Sequence, residues 1–310
     1  MNRFKEWLII KGHSSSTVTA TLKAVNYFMV WCEKENISDV GEIRHTDMIA
    51  FVQSCNVRGV SRKTTAGYVL HIKKYFDFLQ SEEEVTDNPC SHIKIKGIKR
   101  KVLYEVLSRE EMEKLYNDYA TEIVIAKTEN MKSPPPQHLQ VLARKRNKVM
   151  LGLLIYQAVR SEELNRLQLS DVKPREGKIH IPGAKRSNER TLRLESSQVF
   201  DLLDYMNDTR KQMLQYRKAT EPTQELLVNM NGGKGLSNAL AILVTHLKAM
   251  NGKIKNLDQL RASVIVHWLK QYNLRKVQVM AGHRYISSTE AYQASHLDDL
   301  KEDIKNYHPF

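Results

Sequence analysis

The chain has 310 residues, a formal net charge of +13 and a 41% share of hydrophobic residues. That length allows two domains with separate cores, and the positive balance favours a polyanionic partner, either nucleic acid or an acidic membrane surface. No run approaches the eighteen apolar residues of a spanning helix. Met1-Asn2-Arg3-Phe4-Lys5-Glu6 leads into no apolar core segment, so no secretory signal is expected. The cysteines, Cys32, Cys55 and Cys90, are odd in number and widely spaced. They read as buried small side chains of a cytoplasmic protein, not as a disulfide frame or zinc site.

Residues 1 to about 90 show helical spacings and no strand pattern. Phe4, Trp7 and Leu8 begin a first helix that Gly12 ends. Ser14-Ser15-Ser16 caps a second with Val18, Leu22, Val25, Met29 and Cys32 on its face. A third runs near Thr46 to Cys55, and a fourth from Ser61 carries Val69, Ile72, Phe76 and Leu79. The polar faces hold Lys23, Arg58, Arg62, Lys63, Lys73 and Lys74. Asp87-Asn88-Pro89 breaks the pattern. The basic run His92 to Lys101 follows, with Lys94, Lys96, Lys99, Arg100 and Lys101. It reads as an interdomain linker, either a plain solvated connector or a strap along a phosphate backbone.

Beyond it, Ser108-Arg109-Glu110-Glu111 forms a capping box ahead of Met112, Leu115 and Tyr119. Ser133-Pro134-Pro135-Pro136 must be a loop. Val149 to Val159 is apolar almost all round and predicts a buried central helix, with Arg160 directly after it and a new helix opening at Ser161. Lys178 to Pro182 and Arg190 to Leu194 alternate like short strands around the charged turn Gly183 to Glu189. Residues 197–217 return to helix. Gly232-Gly233-Lys234-Gly235 lacks the context of a phosphate loop. Leu257 to Tyr272 is a further helix, with Arg261 in its first turn and His267 as a structural residue. Leu274 to Ala281 is amphipathic and ends at Gly282, a C-cap that sets His283 at a corner. Ser287-Ser288-Thr289-Glu290 offers caps for a short helix bearing Tyr292, and Leu297, Leu300, Ile304 and Tyr307 have helical spacing after it.

Taken singly, each polar residue here has a bland explanation. Lys185 suits a solvated turn, Arg261 a helix surface, Glu163 a helix N-terminus and His283 a set of last-turn carbonyls. Arg160 is different, because a charge next to a buried apolar helix needs a partner. Taken in order, the boxes Gln157-Ala158-Val159-Arg160-Ser161-Glu162-Glu163-Leu164, Gly183-Ala184-Lys185-Arg186-Ser187-Asn188-Glu189-Arg190, Leu260-Arg261, Gly282-His283 and Tyr292, nine residues past His283, resemble the tyrosine recombinase (phage-type integrase) family. The likeness runs over nearly the whole chain.

The resemblance implies a mainly α fold with a small β-sheet: a helical, SAM-like core-binding domain (1–91), the basic linker (92–103) and an α+β catalytic domain with a C-terminal helix (104–310). It implies a site-specific DNA recombinase or integrase, of a mobile element, cutting double-stranded DNA through a 3′-phosphotyrosine on Tyr292. Arg160 and Arg261 would clamp the non-bridging oxygens and Lys185 would protonate the leaving 5′-oxygen. His283 would bond the phosphate or help take the tyrosine proton, and Glu163 would orient Arg160 or His283. DNA contacts are expected from Lys23, Arg62, Lys63, Lys73, Lys94, Lys96, Lys99, Arg100 and Lys101. No metal and no nucleotide cofactor is implied. The expected assembly is a tetramer on two duplexes, joined through the Leu297–Tyr307 helix and open to an accessory bending or directionality factor. It would sit on the nucleoid, away from any membrane.

One position departs from the family. Three residues before the second arginine, where the family has His or Lys, stands Asp258. A carboxylate is repelled by a phosphodiester and cannot donate to it. Asp258 could buttress Arg261 or His283, be protonated or face away, with Lys255, Asn256 or Gln259 supplying the missing donor. The same departure sustains the alternative of a DNA-binding protein that kept the fold and lost catalysis. A topoisomerase-like enzyme that relaxes DNA without exchange is the other reading.

Overall fold

The computed structural model describes residues 1–97, 105–122, 136–184, 187–217, 223–230 and 235–293. The chain divides into two compact units, Met1–Val102 and Leu103–Phe310.

The first unit is built from α1 (Asn2–Ile10), α2 (Ser15–Lys34), α3 (His45–Val57) and α4 (Arg62–Ser81). Ser14 and Ser61 cap α2 and α4, their hydroxyls accepting from the amides of Thr17 and Thr64. Each such cap stabilises a helix by about 1 kcal/mol. Gly12, at φ +75°, follows the end of α1 as its position predicted. The buried face of α2 is turned from the expected one: Thr21, Ala24, Phe28 and Trp31 join Val18, Val25 and Cys32 inside, while Leu22 and Met29 are half-buried. Phe28 sets this rotation. It meets Phe51 of α3 edge to face at 5.1 Å and lies near Phe76 of α4 at 6.4 Å. The Thr21 hydroxyl is bonded to His71 Nδ1 at 2.8 Å, tying α2 to α4. All three cysteines are free and buried, and burial pushes the Cys90 thiol up to about 12.

The second unit is assembled on α6 (Gln137–Tyr156), against which pack α5 (Arg109–Asn117), α8 (Ser196–Asp204), α10 (Ser237–Met250) and α11 (Leu257–Gln271). Val149 to Ile155 is buried on every side. The helix begins twelve residues before the expected start and stops at Tyr156, earlier than expected. Gln157 then turns inward to bond the Arg193 carbonyl and Gln198, and Ala158 takes a left-handed φ of +49°. Arg160 therefore stands at the end of a kinked connection, as the N-cap residue of the one-turn α7 (Ser161–Leu164). The capping box at Ser108 and Glu111 closes in both directions.

The sheet has three antiparallel strands, β1 (Val172–Lys173), β2 (Lys178–Ile181) and β3 (Arg190–Arg193), in that order. β1 has only two residues, too short for an alternation to show. Ile181 pairs with Arg190 in register, so Arg190 shares the inward face with Ile179 and Ile181. The helical stretch 197–217 carries a π-type turn at Tyr205–Thr209 before α9 (Arg210–Gln215). α12 (Leu274–Met280) follows α11, and residues 287–293 form the described part of α13. The Ser133–Pro135 loop, Gly232–Lys234 and the Leu297–Tyr307 segment lie outside the described residues. No described helix is long and apolar enough to cross a membrane.

Candidate active site

Four local devices bring the polar residues together. The kink after α6 presents Arg160. The second turn of α11, not its first, presents Arg261. The α12 C-cap presents His283, and α13 presents Tyr292.

Gly282 is the hinge of the third device. Its φ is +63°, and an added Cβ would fall 2.5 Å from Arg190 Nη1 and 2.9 Å from the Asn188 carbonyl oxygen. Glycine is therefore required twice, for the left-handed turn and for the close approach of the β2–β3 hairpin. Asn188 N donates to the Gly282 carbonyl at 3.1 Å, and Ser187 bridges to His283. His283 is 3% exposed. Its Nδ1 lies 2.8 Å from Thr289 Oγ1 and its Nε2 3.2 Å from Arg261 Nη2. An arginine can only donate, which makes Nε2 the acceptor and puts the ring hydrogen on Nδ1, facing Thr289. The ring stacks on Tyr292, centroids 5.7 Å apart and planes 6° from parallel.

Arg261 is equally buried. It donates through Nη1 to the Ala158 carbonyl and through Nη2 to the Ala281 carbonyl at 2.7 Å, while its buried Nε has no hydrogen-bond partner among the described residues. Burial lowers its pKa, and the nearby cations Arg160 and Arg190 lower it further. Arg160 is half-exposed, and among the described residues its guanidinium makes no hydrogen bond or ion pair. Among the described residues the partner its position called for is not found, which leaves the cation open to an incoming anion.

Among the described residues Glu163 meets Arg160 through the backbone and not through the guanidinium, and it does not bond His283. Its carboxylate takes a two-pronged ion pair from Arg190, Oε1 to Nη1 at 2.9 Å and Oε2 to Nη2 at 2.8 Å. Oε2 also accepts the backbone N–H of Arg160 at 2.8 Å. Burial alone would raise this carboxyl, but the bonds and charges of Arg190, the Arg160 amide and the Arg261 charge outweigh it and hold it at about 2. Arg190 is thus a site residue that sequence reasoning passed over. The available signal was a charged residue on the inward phase of a strand.

Asp258 is exposed in the first turn of α11, and bonds neither Arg261 nor His283. Gln259 is occupied in the fold, bonding the carbonyls of Glu105 and Lys253 and the amide of Lys255, and Asn256 caps α11. Of these three residues, Lys255 alone is exposed with a side chain that makes no bond among the described residues. His267 bonds the Leu107 carbonyl, a structural contact. Lys185 lies outside the described residues.

The phage integrase family profile matches residues 105–298, and the profile of the phage integrase N-terminal SAM-like domain matches residues 1–83. The chain belongs to the phage integrase family. It is a tyrosine recombinase, and similar along its whole length to others. Tyrosine recombinase XerD of Oceanobacillus iheyensis is 28% identical over 305 residues, 97% of this chain and 95% of that protein. Tyrosine recombinase XerC of Anoxybacillus flavithermus is 26% identical over 317 residues, 100% and 97% of the two chains. In fold, the XerH site-specific recombinase bound to palindromic difH substrate matches with a TM-score of 0.67 at 18% identity, over 92% of this chain and 78% of that one. The lambda integrase dimer bound to a COC′ core site matches at 0.61 and 13%, over 94% and 93%.

In the first unit of this tyrosine recombinase, Lys23, Arg62, Lys63, Lys94 and Lys96 are exposed and Lys73 is half-buried. Arg62 and Lys73 are three helical turns apart on α4 and share a face. Arg62 Nη1 donates to the Lys96 carbonyl at 3.4 Å, which places Lys96 beside the start of α4. Lys99, Arg100 and Lys101 lie outside the described residues. Among the described residues no group of three or more His, Cys, Asp or Glu could hold a metal ion.

Proposed function

We propose that the protein cuts and rejoins double-stranded DNA at specific sites through a covalent 3′-phosphotyrosine at Tyr292. The observation that carries this reading is the continuous chain of contacts from Arg261 through His283 to Tyr292, with the Arg160 guanidinium nearby and unbonded among the described residues. The tyrosine hydroxyl attacks the scissile phosphorus. A phosphorus–Oη bond forms, the phosphorus–O5′ bond breaks, and the phenolic proton leaves toward His283 or water. The 5′-oxygen takes a proton from Lys185. Attack by a 5′-hydroxyl from the partner duplex reverses these steps and releases the tyrosine.

Charge gathers on the two non-bridging oxygens in the transition state. Arg160 supplies donors for it, and the buried guanidinium of Arg261 adds positive charge beside it, held in place before the reaction. His283, with its ring hydrogen on Nδ1 engaged by Thr289, keeps Nε2 as an acceptor beside Arg261, the nitrogen that can take the tyrosine proton. Glu163 acts on Arg160 through its backbone. Arg62, Lys63, Lys94 and Lys96, with Lys23, Lys73 and the remaining linker cations, would hold the phosphate backbone. On this reading residues 1–91, 92–103 and 104–310 serve as core-binding domain, linker strap and catalytic domain. Four protomers act on two duplexes, as in the lambda integrase tetramer bound to a Holliday junction, with the Leu297–Tyr307 segment joining neighbours. The DNA it joins belongs to a mobile element, which sequencing the products made from DNA flanking the gene would check.

The test uses nicked suicide duplexes from that flanking DNA, on which the cut strand cannot be religated. Wild type should give a protein–DNA adduct that survives denaturation, and Tyr292→Phe none. No adduct on a DNA that is bound specifically would turn the assignment to a binding protein. Asp258, which cannot donate to a phosphate, is the feature that favours that second reading; it is exposed and bonds neither Arg261 nor His283.

A further inference from the structure

The two candidate clamp arginines reach the site from elements far apart in sequence, α7 and α11, so something must set the distance between them. The buried Glu163–Arg190 pair lies between those elements. On one side, Glu163 Oε2 holds the Arg160 backbone amide at 2.8 Å. On the other, Arg190 Nη1 rests against Gly282, whose neighbour Ala281 accepts from Arg261 Nη2 and whose neighbour His283 bonds the same atom. The ion pair is two-pronged, and both side chains are 1% exposed. A fork of two parallel bonds fixes orientation as well as distance. A lysine could replace the charge but not the fork.

We infer that Arg190 is a positioning residue for strand cleavage, which acts through Glu163 to hold Arg160 at a set spacing from the Arg261–His283 corner. It touches no DNA and no reacting atom. The inference rests on the phosphotyrosine reading above and adds to it a role for Arg190 that the boxes by themselves do not assign. A displacement of about 1 Å in such a clamp can cost about 10²-fold in rate.

The experiment is a double-mutant cycle on the full chain, reading the first-order rate of adduct formation at saturating protein and, separately, the Kd for the same duplex. Arg190→Lys should slow adduct formation by about 10²-fold with the Kd unchanged. Arg160→Lys should also slow it. If Arg190 acts through Arg160, the double variant should be no more than about threefold slower than Arg160→Lys alone, because the spacing of a broken clamp no longer matters. Multiplied losses in the double variant, or a wild-type rate in Arg190→Lys, would overturn the inference while leaving the phosphotyrosine reading intact. Absence of a wild-type adduct would instead remove that reading. Should Arg190→Lys fail to fold, Glu163→Gln takes its place in the same cycle with the same expectation. Loss of the fold in both variants would make the pair purely structural and also overturn the inference.

Discussion

The two units bury different things. The buried interior of the first is aromatic and aliphatic, with Phe4, Phe28, Phe51 and Phe76 at its centre and Thr21 and Thr65 as its buried polar residues. The second buries Arg146, Glu163, Arg190, Arg210, Arg261 and His283. A core of rings needs only shape and area, and its cations can stay outside on solvated faces. A site that must recognise a phosphodiester needs charges in fixed positions. Fixing them requires burial, and burial requires a bonded partner for each group. Arg146 shows that the habit extends beyond the site: it bonds the Val228 carbonyl, Asn229 and Asn147.

The contrast breaks first on deletion. Arg190→Met leaves Glu163 buried and unpaired, and should cost about 3–5 kcal/mol, read as a lowered midpoint in urea. Phe28→Ala opens a cavity among the rings of the first unit and should cost a similar ~3–5 kcal/mol. The two separate with pH. The Glu163 carboxyl is held at about 2 in the folded protein, below its ordinary 4.5. The stability it contributes is therefore complete above about pH 4.5 and is lost as pH falls toward 2. Arg190→Met should thus lose its penalty on acidification through that window, whereas Phe28→Ala should keep its own.

Arg160→Lys comes next. It should leave the midpoint unchanged, because the guanidinium has no bond to lose within the described residues, and should slow adduct formation by about 10²–10³-fold. A large loss of stability there would contradict the half-exposed, unbonded state of this side chain. Lys63→Ala, on the surface of the first unit, should weaken DNA binding about equally across sequences and reduce the salt slope by about 1. Smallest of all, Asp258→His should change stability by no more than about 0.5 kcal/mol. A large gain in cleavage rate from it would show that the exposed position faces the phosphate once DNA is bound.

Much of the local architecture was legible because it is written in short spacings. Ser14, Ser61 and Ser108 stand where caps are needed, Gly282 where a left-handed residue is needed, and β2 and β3 follow their alternation. The spacing of apolar residues alone leaves the α2 face uncertain by part of a turn, because Leu22 and Met29 are as apolar as Phe28. Only the fit of Phe28 against Phe51 chooses between them. Apolar pattern alone carries α6 past its true end, because Ala158 and Val159 continue the apolar run beyond Gln157. The turn inward depends on Gln198 and the Arg193 carbonyl, both supplied by later segments.

The sequence by itself determined the two-part helical organisation, the small sheet and the order of the boxes, since capping, alternation and residue type are properties of neighbours along the chain. Tertiary structure alone decided which charge meets which. Glu163 and Arg190 are 27 residues apart, and Arg261 and Ala158 are 103 apart. An arginine carries the same donors whether it meets a carboxylate, a carbonyl or nothing. Which of these Arg160, Arg190 and Arg261 found was settled by the packing that brought the strands, the kink and the glycine corner together.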